Sequence, residues 1–598
     1  MKTLPELRAD EPSYGFSDYL KAMSSAETAS AERTPLRIAV LRSYTAEMLE
    51  PVLRFKLLLE GYSPEFFFGG YNGYAQEILD PQSALYKFKP DVILVLTRIE
   101  ELIPGFHDAF GSKSPAEWDE EIRSAALGLI SLSKTAGEGA ASQVIIQTMV
   151  LSSPYWGIYD AQTANGQAHL AAGFNSMLAS AASSHANLFI WDFSRLVVAK
   201  GYESFYDPKL WFTARNPYRQ SAYVEIGRDL CKHMLSALGR VKKCVVVDLD
   251  NTLWGGIAGE DGLDGVKLGH DYPGNCYLAF QKGLLKLYDR GIILAVNSKN
   301  NESDALEIID QHPDMALRRK HFAALRINWE DKATNMQELA AEINIGLESI
   351  IFIDDNPAEC ELVRSRLPEV ATVRLPDKPY LIPAIIEALP GIENIRLTEE
   401  DRKKGGMYKV QADRKNFEKS CGTLDDFLAG LGVQVTIGPA TGFALTRIAQ
   451  LTQKTNQMNL TTRRYTEAQI QAFMQDPNAA VFFVASKDRF GDNGIVGVFI
   501  LKFDSATCLI DTFLLSCRVI GRNIEDAVVA FIADFARAKG VKLLVGEYLP
   551  TARNKPASDM YPRLGFSRIG DRRFEAVLEY EEFGCPAHIR LDRAVAGT

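Results

Sequence analysis

With 598 residues the chain is too long for one hydrophobic core, and three or four domains are expected. A hydrophobic share of 46%, a charged share of 24% and a formal net charge of -10 describe an ordinary acidic globular protein and give nucleic-acid binding no support. No apolar run reaches membrane-spanning length, the opening MKTLPELRADEPSYG is too polar for a signal peptide, and the eight cysteines are scattered without a CxxC pair, so the expectation is a cytoplasmic protein with neither a structural zinc site nor a disulfide framework.

Residues 1–35 read as a flexible polar arm, because SSAETASAERTP mixes small and charged residues. From Leu36 a strand–helix rhythm begins. RIAVL, DVILVL, QVIIQT and LFIWDF read as buried strands, separated by helices such as AEMLEPVLRFKLLLEG and GQAHLAAGFNSMLASAASS. That alternation predicts a parallel sheet flanked by helices over 36–239. Within it, FFFGGYNGY (66–74) fits a buried strand and turn, or a docking surface. A second α/β unit, 240–376, opens at VKKCVVVDLD and continues through the strands ILAVNS and IIFIDD. A charged helical connector spans 377–432 and contains LTEEDRKKGGMYKVQADRKNF. The last unit, 433–598, reads as α+β, with strands AVFFVASK, IVGVFILKF, CLIDTFLLS and KLLVGEY and helices FALTRIAQLTQKTNQM and IEDAVVAFIADFARAKG.

The stretch CVVVDLDNTLWGG (244–256) ends a buried strand with two acids, at the edge where open α/β sheets bind ligands. Strand side chains alternate, so Asp248 and Asp250 share one face. Two close carboxylates stay ionised only beside a cation or proton, and Mg²⁺ takes such oxygens together with those of phosphate. One carboxylate there can attack phosphorus, and a second can serve as general acid and base. Further residues follow in order. Ser298 ends ILAVNS with Lys299 beside it, Lys332 precedes a helix in WEDKATN, and Asp354 and Asp355 end IIFIDDNP. A lone DxD is weak evidence; the whole series is strong.

DLDNTLWGG, NSKNN, WEDKATN and FIDDNPAE resemble the four motifs of the haloacid dehalogenase (HAD) phosphatase superfamily. The wording is most similar to its FkbH-like branch, enzymes that load a three-carbon glyceryl unit onto carrier proteins in polyketide pathways. The resemblance runs from residue 241 onward. It implies Asp248 as the phosphoryl-accepting nucleophile and Asp250 as the general acid/base. It further implies Thr252 and Ser298 as phosphate contacts, with Lys299 beside them, and Lys332 as the charge neutraliser. Asp248, Asp250, Asp354 and Asp355 are the implied Mg²⁺ ligands. Asn297 departs from relatives that carry cysteine before the serine. The spacing leaves no room for an inserted lid domain, so exclusion of water falls to a neighbouring domain or a carrier protein.

The last unit resembles the GNAT acyltransferase superfamily. Its Arg518-x-x-Gly521 turn opens a helix, whose N–H groups suit the pyrophosphate of coenzyme A or a related pantetheine phosphate. Asn554 and Tyr561, ahead of LGF, resemble that superfamily's later cofactor-side positions, whereas Asn523 replaces a usual glycine. Cys517, next to Arg518 and a helix start, has the setting of a thiolate and is either a catalytic carrier of a glyceryl thioester or a buried structural cysteine. TQKTNQMNLTTRR (452–464) lines an acyl or pantetheine channel, or is a surface turn. The first unit faintly resembles SGNH-type esterases, but Ser43 lacks the GDS turn and Asp207 has no histidine in register. A degenerate fold without catalysis, packed over the open phosphatase site, is expected there.

The fold class expected is therefore multidomain α/β: a degenerate SGNH-like α/β unit, a capless HAD-like Rossmannoid parallel sheet and a C-terminal GNAT-like α+β unit. The implied function is that of a Mg²⁺-dependent glyceryl transferase/phosphatase. Its donor is a phosphorylated three-carbon substrate, 1,3-bisphosphoglycerate, and its partner is the phosphopantetheine arm of an acyl carrier protein, with no nucleic acid or membrane involved. A phosphatase for a small phosphorylated metabolite and a non-catalytic carrier-protein docking scaffold are the alternatives.

Overall fold

A computed structural model describes residues 6–7, 11–29, 33–151, 156–185, 187–393, 414, 417, 420–455, 457–551 and 554–594. The chain divides into two compact units, Met1–Leu238 with Thr466–Gln469, and Gly239–Tyr465 with Ile470–Thr598.

The first unit is built on five parallel strands, β1 (Thr34–Arg42), β2 (Tyr62–Phe68), β3 (Val92–Leu96), β4 (Gln143–Gln147) and β5 (Leu188–Trp191), in the order β2-β1-β3-β4-β5. β3 and β4 are buried along their whole length, as central strands covered on both faces must be. FFFGGYNGY supplies the end of β2 and its turn. The long helix Pro115–Ala140 starts where its sequence says it should. The Ser114 side chain accepts from Glu117 N–H while the Glu117 carboxylate accepts from Ser114 N–H at 2.7 Å.

The expected flexible arm is corrected by an ordered helix, Phe16–Thr28. Tyr19 is fully buried and meets Phe55 edge to face at 5.3 Å. Glu11 is buried too and receives Lys56 and Arg228, each at 3.1 Å. Tyr14, Phe16, Tyr19 and Met23 form an apolar stripe that the small and charged residues around it masked.

The second unit holds two sheets. The first is parallel throughout: β6 (Cys244–Val247), β7 (Ile293–Ser298), β8 (Phe322–Ile327), β9 (Ile350–Asp354) and β10 (Ala371–Arg374), in the order β10-β9-β6-β7-β8. Alternation along β6 divides its residues between two cores. Val245 and Val247 pack with Leu278 and Leu284 of the helix Gly274–Asp289, while Cys244 and Val246 pack with Met336 and Leu339 of the helix Lys332–Ile343. Each fully buried aliphatic side chain contributes about 1.5–3 kcal/mol by leaving water. Packing of this sheet continues past the expected limit at residue 376, since Ile382, Leu389 and Ile392 join the same core as Leu284. Most of the connector stretch 397–417 lies outside the described residues.

The other sheet is mixed and nine-stranded. It contains β11 (Val433–Pro439), β12 (Met458–Asn459), β13 (Ala479–Asp488), β14 (Gly491–Asp504), β15 (Thr507–Leu515), β16 (Leu543–Glu547), β17 (Ser567–Arg568), β18 (Arg573–Val577) and β19 (Ile589–Arg593). The order is β17-β18-β16-β15-β14-β13-β11-β19, with β12 lying against β15. β15 and β16 are parallel, as are β11 and β19, and the remaining pairs are antiparallel. The helix Ile524–Ala538 covers one face and sets Phe531 edge to face on Phe482 at 5.3 Å. The α+β character read from the sequence is what this sheet and helix show.

Candidate active site

Three neighbouring parallel strands end together. Val247 of β6 lies level with Ile353 of β9 and Val296 of β7, so Asp248 comes up beside Asp354 on one side and Asn297–Ser298 on the other. Asp248 N–H donates to Ile353 C=O at 3.0 Å, which extends the ladder to the strand tip. Asp248, Asp354 and Asp355 each offer an oxygen within 4.8 Å of the others.

Lys332 enters this group from the first turn of its helix, whose start Asp331 caps by accepting Thr334 N–H at 2.9 Å. Its ammonium lies 2.5 Å from Asp354 Oδ2 and 3.1 Å from Asp248 Oδ1. The latter contact is an ion pair without hydrogen-bond alignment, because Asp248 Oδ1 is buried with no hydrogen-bond partner. Lys332 and Asp354 are 2% and 0% exposed, so the pair is in effect dry. Burial pulls the Lys332 ammonium down, but the charges of Asp248 and Asp354 prevail and hold its pKa above the ordinary value. Burial, then the charge of Asp248, pushes Asp354 and Asp355 up to about 6. With all three acids ionised against one ammonium, the group carries an excess of two negative charges. A divalent cation with oxygen ligands fits that donor set and relieves the repulsion that otherwise favours protonation.

Two hydroxyls complete the pocket's chemistry. Thr252 Oγ1 and Ser298 Oγ are buried and have no hydrogen-bond partner, with their residues 0% and 1% exposed. An unsatisfied buried hydroxyl costs about 1–3 kcal/mol, so two at one strand edge mark a place that a polar ligand completes. Asn297 has a supporting role, since its Nδ2 donates to Lys332 C=O at 2.9 Å and fixes the start of the lysine's helix.

Asp250 is a correction to the metal set read from the sequence. It is not a member of the three-acid group. Its Oδ1 accepts from Trp254 Nε1 and Ala258 N–H, each at 3.0 Å, and its Oδ2 accepts from Asn300 Nδ2 at 2.9 Å. Burial outweighs these donors and raises its pKa. Alternation put both acids on one face, but the turn after Leu249 carries the Asp250 carboxylate to separate partners. Trp254 and Asn300 were not picked out from the sequence; the second asparagine of NSKNN was the available signal. Lys299 also departs from expectation. Its ammonium pairs with Glu359 at 2.7 Å, which leaves it committed to a neighbouring helix.

In the mixed sheet, Arg518 and Gly521 precede the helix Ile524–Ala538, with Gly521 at φ 80° and Asn523 at φ 58° in the left-handed region. The side chain of Cys517 lies outside the described residues; its backbone starts the short turn Cys517–Val519. Two other expected cofactor-side residues are internal. Asn554 is fully buried, donates to Asn459 and Leu549 carbonyls at 2.9 Å each, and accepts from Thr551 N–H at 2.7 Å. Tyr561 is buried with its hydroxyl pKa pushed up by burial, and it packs on Gly546, where a Cβ would run into its ring.

The amide-rich segment 452–464 starts in the last turn of the helix Gly442–Lys454 and contributes the two-residue strand β12, Met458–Asn459. β15 and β16 pair only from Thr507 to Ile510. Beyond that point the chain's own β12 lies along β15, with Met458 opposite Leu515 and Asn459 opposite Leu514. Leu460 N–H donates to Phe513 C=O at 3.1 Å, and Leu549 N–H donates back to Leu460 C=O at 2.8 Å. The place between the diverging strands is thus filled by buried residues of the same polypeptide.

In the first unit, Ser43 is fully buried and its Oγ accepts from Arg98 N–H at 3.0 Å. Asp207 caps the helix Pro208–Ala214 by accepting Leu210 N–H at 3.1 Å. Both side chains therefore have local structural duties.

Over 64% of its length, at 26% identity and a TM-score of 0.58, the chain is similar to the whole of the crystallised N-terminal part of BF1531 from Bacteroides fragilis, which contains a phosphatase domain complexed with Mg. The ribosomal-protein-S18-alanine N-acetyltransferase of Escherichia coli matches over 24% of this chain and 90% of its own, at 14% identity and a TM-score of 0.19. A mutant of the spermidine N-acetyltransferase SpeG of Vibrio cholerae matches over 24% and 95%, at 13% identity and a TM-score of 0.20. No curated protein matches the sequence. Residues 37–221 match the family model described as FkbH, N-terminal domain.

Proposed function

We propose that the Asp248 site catalyses Mg²⁺-dependent phosphoryl chemistry in the formation of a glyceryl thioester on an acyl carrier protein. The observation that carries this reading is the meeting of Asp248, Asp354, Asp355 and Lys332 beside two buried hydroxyls that lack partners. The Mg-complexed phosphatase domain of BF1531 and the FkbH N-terminal domain match support it. Asp248, Asp354 and Asp355 are the residues that would hold Mg²⁺, which would supply charge neutralisation for a bound phosphate.

The donor proposed is 1,3-bisphosphoglycerate. Attack on its acyl phosphorus would release a carboxylate and waste the activated carbonyl. The carrier's thiolate therefore attacks the acyl carbon, the C–S bond forms, the C–O bond to phosphate breaks, and inorganic phosphate leaves. The remaining phosphate ester is the substrate for Asp248. A carboxylate oxygen attacks phosphorus, the P–O bond to the three-carbon unit breaks, and the departing oxygen takes a proton from Asp250. A water molecule, giving its proton to Asp250, then frees phosphate from Asp248. Thr252 and Ser298 donate to phosphoryl oxygens, and Lys332 offsets their charge. Cys517 is the candidate for a thioester relay, and the cytoplasm is the proposed compartment. Among the described residues, no helix is long and apolar enough to cross a membrane.

The test is to incubate the protein with Mg²⁺, 1,3-bisphosphoglycerate and holo carrier protein and weigh the intact carrier. A glyceryl mass shift is expected, and in Asp248→Asn it gives way to the heavier phosphoglyceryl shift, because the thioester forms before Asp248 acts. Phosphate release without a shift makes the protein a small-molecule phosphatase, and a glyceryl shift from Asp248→Asn refutes the mechanism. Full transfer by Cys517→Ala removes only the relay.

A further inference from the structure

We infer that the first unit binds a small uncharged carbonyl compound, an amide or ester with a short aliphatic chain, in a pocket at the carboxyl edge of its parallel sheet. The pocket occupies about 320 Å³ with its open mouth and gathers three strand ends: Thr97 and Arg98 follow β3, Gln147 ends β4, and Phe193 stands just past β5. Val150, Val197 and Phe205 add apolar wall. The carboxyl edge is where open parallel sheets bind ligands. This pocket belongs to a different unit from the Asp248 site and does not depend on the reading of that site.

The polar side of the pocket is incompletely satisfied. Thr97 is 0% exposed, and its Oγ1 has no hydrogen-bond partner. Arg98 Nε is buried and also lacks an acceptor, although the residue is otherwise held in place. Its backbone N–H donates to Ser43 Oγ at 3.0 Å, and its Nη2 pairs with Glu100 at 2.8 Å. Its guanidinium lies over the rings of Tyr206 and Trp211, at 5.3 and 4.8 Å. Gln147, by contrast, is engaged, since its Oε1 accepts from the Tyr44 hydroxyl at 2.8 Å. Two adjacent residues thus bring a hydroxyl and an N–H donor to one strand end with nothing to receive them. Buried donors are seldom left unmet, because each costs free energy that water would otherwise return. What the pocket lacks is an acceptor oxygen.

The balance of charge decides which kind of acceptor. Among the described residues that line the pocket, Arg98 is the one formally charged side chain, and Glu100 already offsets it. Glu100 Oε2 is itself buried without a donor, so a bound carboxylate would set a second negative charge beside it. Desolvating that anion among apolar walls costs more than a shared guanidinium returns. A carbonyl oxygen has two lone pairs and no charge, so it accepts from both donors without that cost. The apolar walls then take the carbon chain.

The test is a ligand-observed NMR titration of the full-length protein at neutral pH with butanamide and butanoate, which match in shape and differ in charge. Saturable binding of butanamide is expected, with butanoate at least about ten-fold weaker. Thr97→Val keeps the shape and removes the hydroxyl. It is expected to weaken butanamide about ten-fold without lowering the melting temperature, because the hydroxyl has no partner in the protein to lose. Thr97→Ser is expected to stay within about two-fold of the wild type. Butanoate binding as tightly as butanamide makes this an anion site and overturns the inference. Failure of both probes to bind wild-type protein leaves a cleft filled by water and overturns it too. Unchanged affinity in Thr97→Val, or a lower melting temperature, gives the hydroxyl no part in recognition and has the same consequence. All of these results leave the phosphoryl-transfer reading of Asp248 intact.

Discussion

Replacing Lys332 by methionine isolates the electrostatics of the site with little change in side-chain volume. In the wild-type protein one ammonium is shared by Asp248 Oδ1 at 3.1 Å and Asp354 Oδ2 at 2.5 Å. At an effective dielectric near 20 these contacts correspond to gross attractions of about 5 and about 7 kcal/mol. Desolvation of the three ions, several kcal/mol each, offsets most of that sum. What the substitution exposes is different: two carboxylates left together, one of them fully buried, without their counter-charge. Removing one partner of a buried pair typically costs about 3–5 kcal/mol, and that is the loss expected for Lys332→Met in metal-free protein. Urea denaturation with EDTA, followed through the unfolding of the second unit, measures it. The same titration in excess Mg²⁺ should recover part of the loss, because a divalent cation neutralises the acids that the ammonium no longer serves. Metal affinity should rise as activity disappears. Unchanged stability with EDTA, or no differential rescue by Mg²⁺, would refute the idea that Lys332 and a cation share one cluster of charge.

Further expectations concern separate parts of the second unit. Ser298→Ala should leave stability unchanged or slightly raised, since its hydroxyl has no partner to lose, while phosphate release falls about 100-fold; a clear drop in melting temperature speaks against a ligand-binding role. Asn554→Ala leaves the Asn459 and Leu549 carbonyls without their donor, so thermal melts should show a loss of about 3 kcal/mol. Asp511 is raised by burial, but Lys502, Tyr465 and Arg463 win and hold its pKa below the ordinary carboxylate value. Its contribution to stability is therefore present above the unfolded-state pKa of about 4 and is lost as pH falls through the lower folded-state value. Asp511→Asn should cost about 1–3 kcal/mol in urea at pH 7 and flatten the acid limb of the stability curve; an unaltered acid limb contradicts the assignment.

Much of the layout was legible in the chain because it is written in local pattern. The apolar runs of β3, β4, β6 and β9 announce buried parallel strands, and a parallel sheet places their carboxyl ends on one edge. From that edge follows the proximity of Asp248 to Asp354 and Ser298, and the entry of Lys332 from the next helix. Local pattern is silent on where a side chain turns after the strand ends. Asp250 shares the parity of Asp248, yet Trp254, Ala258 and Asn300 hold it away from the three-acid group. Lys299 neighbours Ser298 but finds Glu359, 60 positions on. Asn459 and Asn554 are 95 residues apart, and their hydrogen bond makes two polar residues part of a core. Composition determined the class of fold and the inventory of charges, because burial and periodicity are properties of short segments. Partner choice among those charges was decided only by folding, since a buried donor takes the acceptor that the whole packing brings within reach.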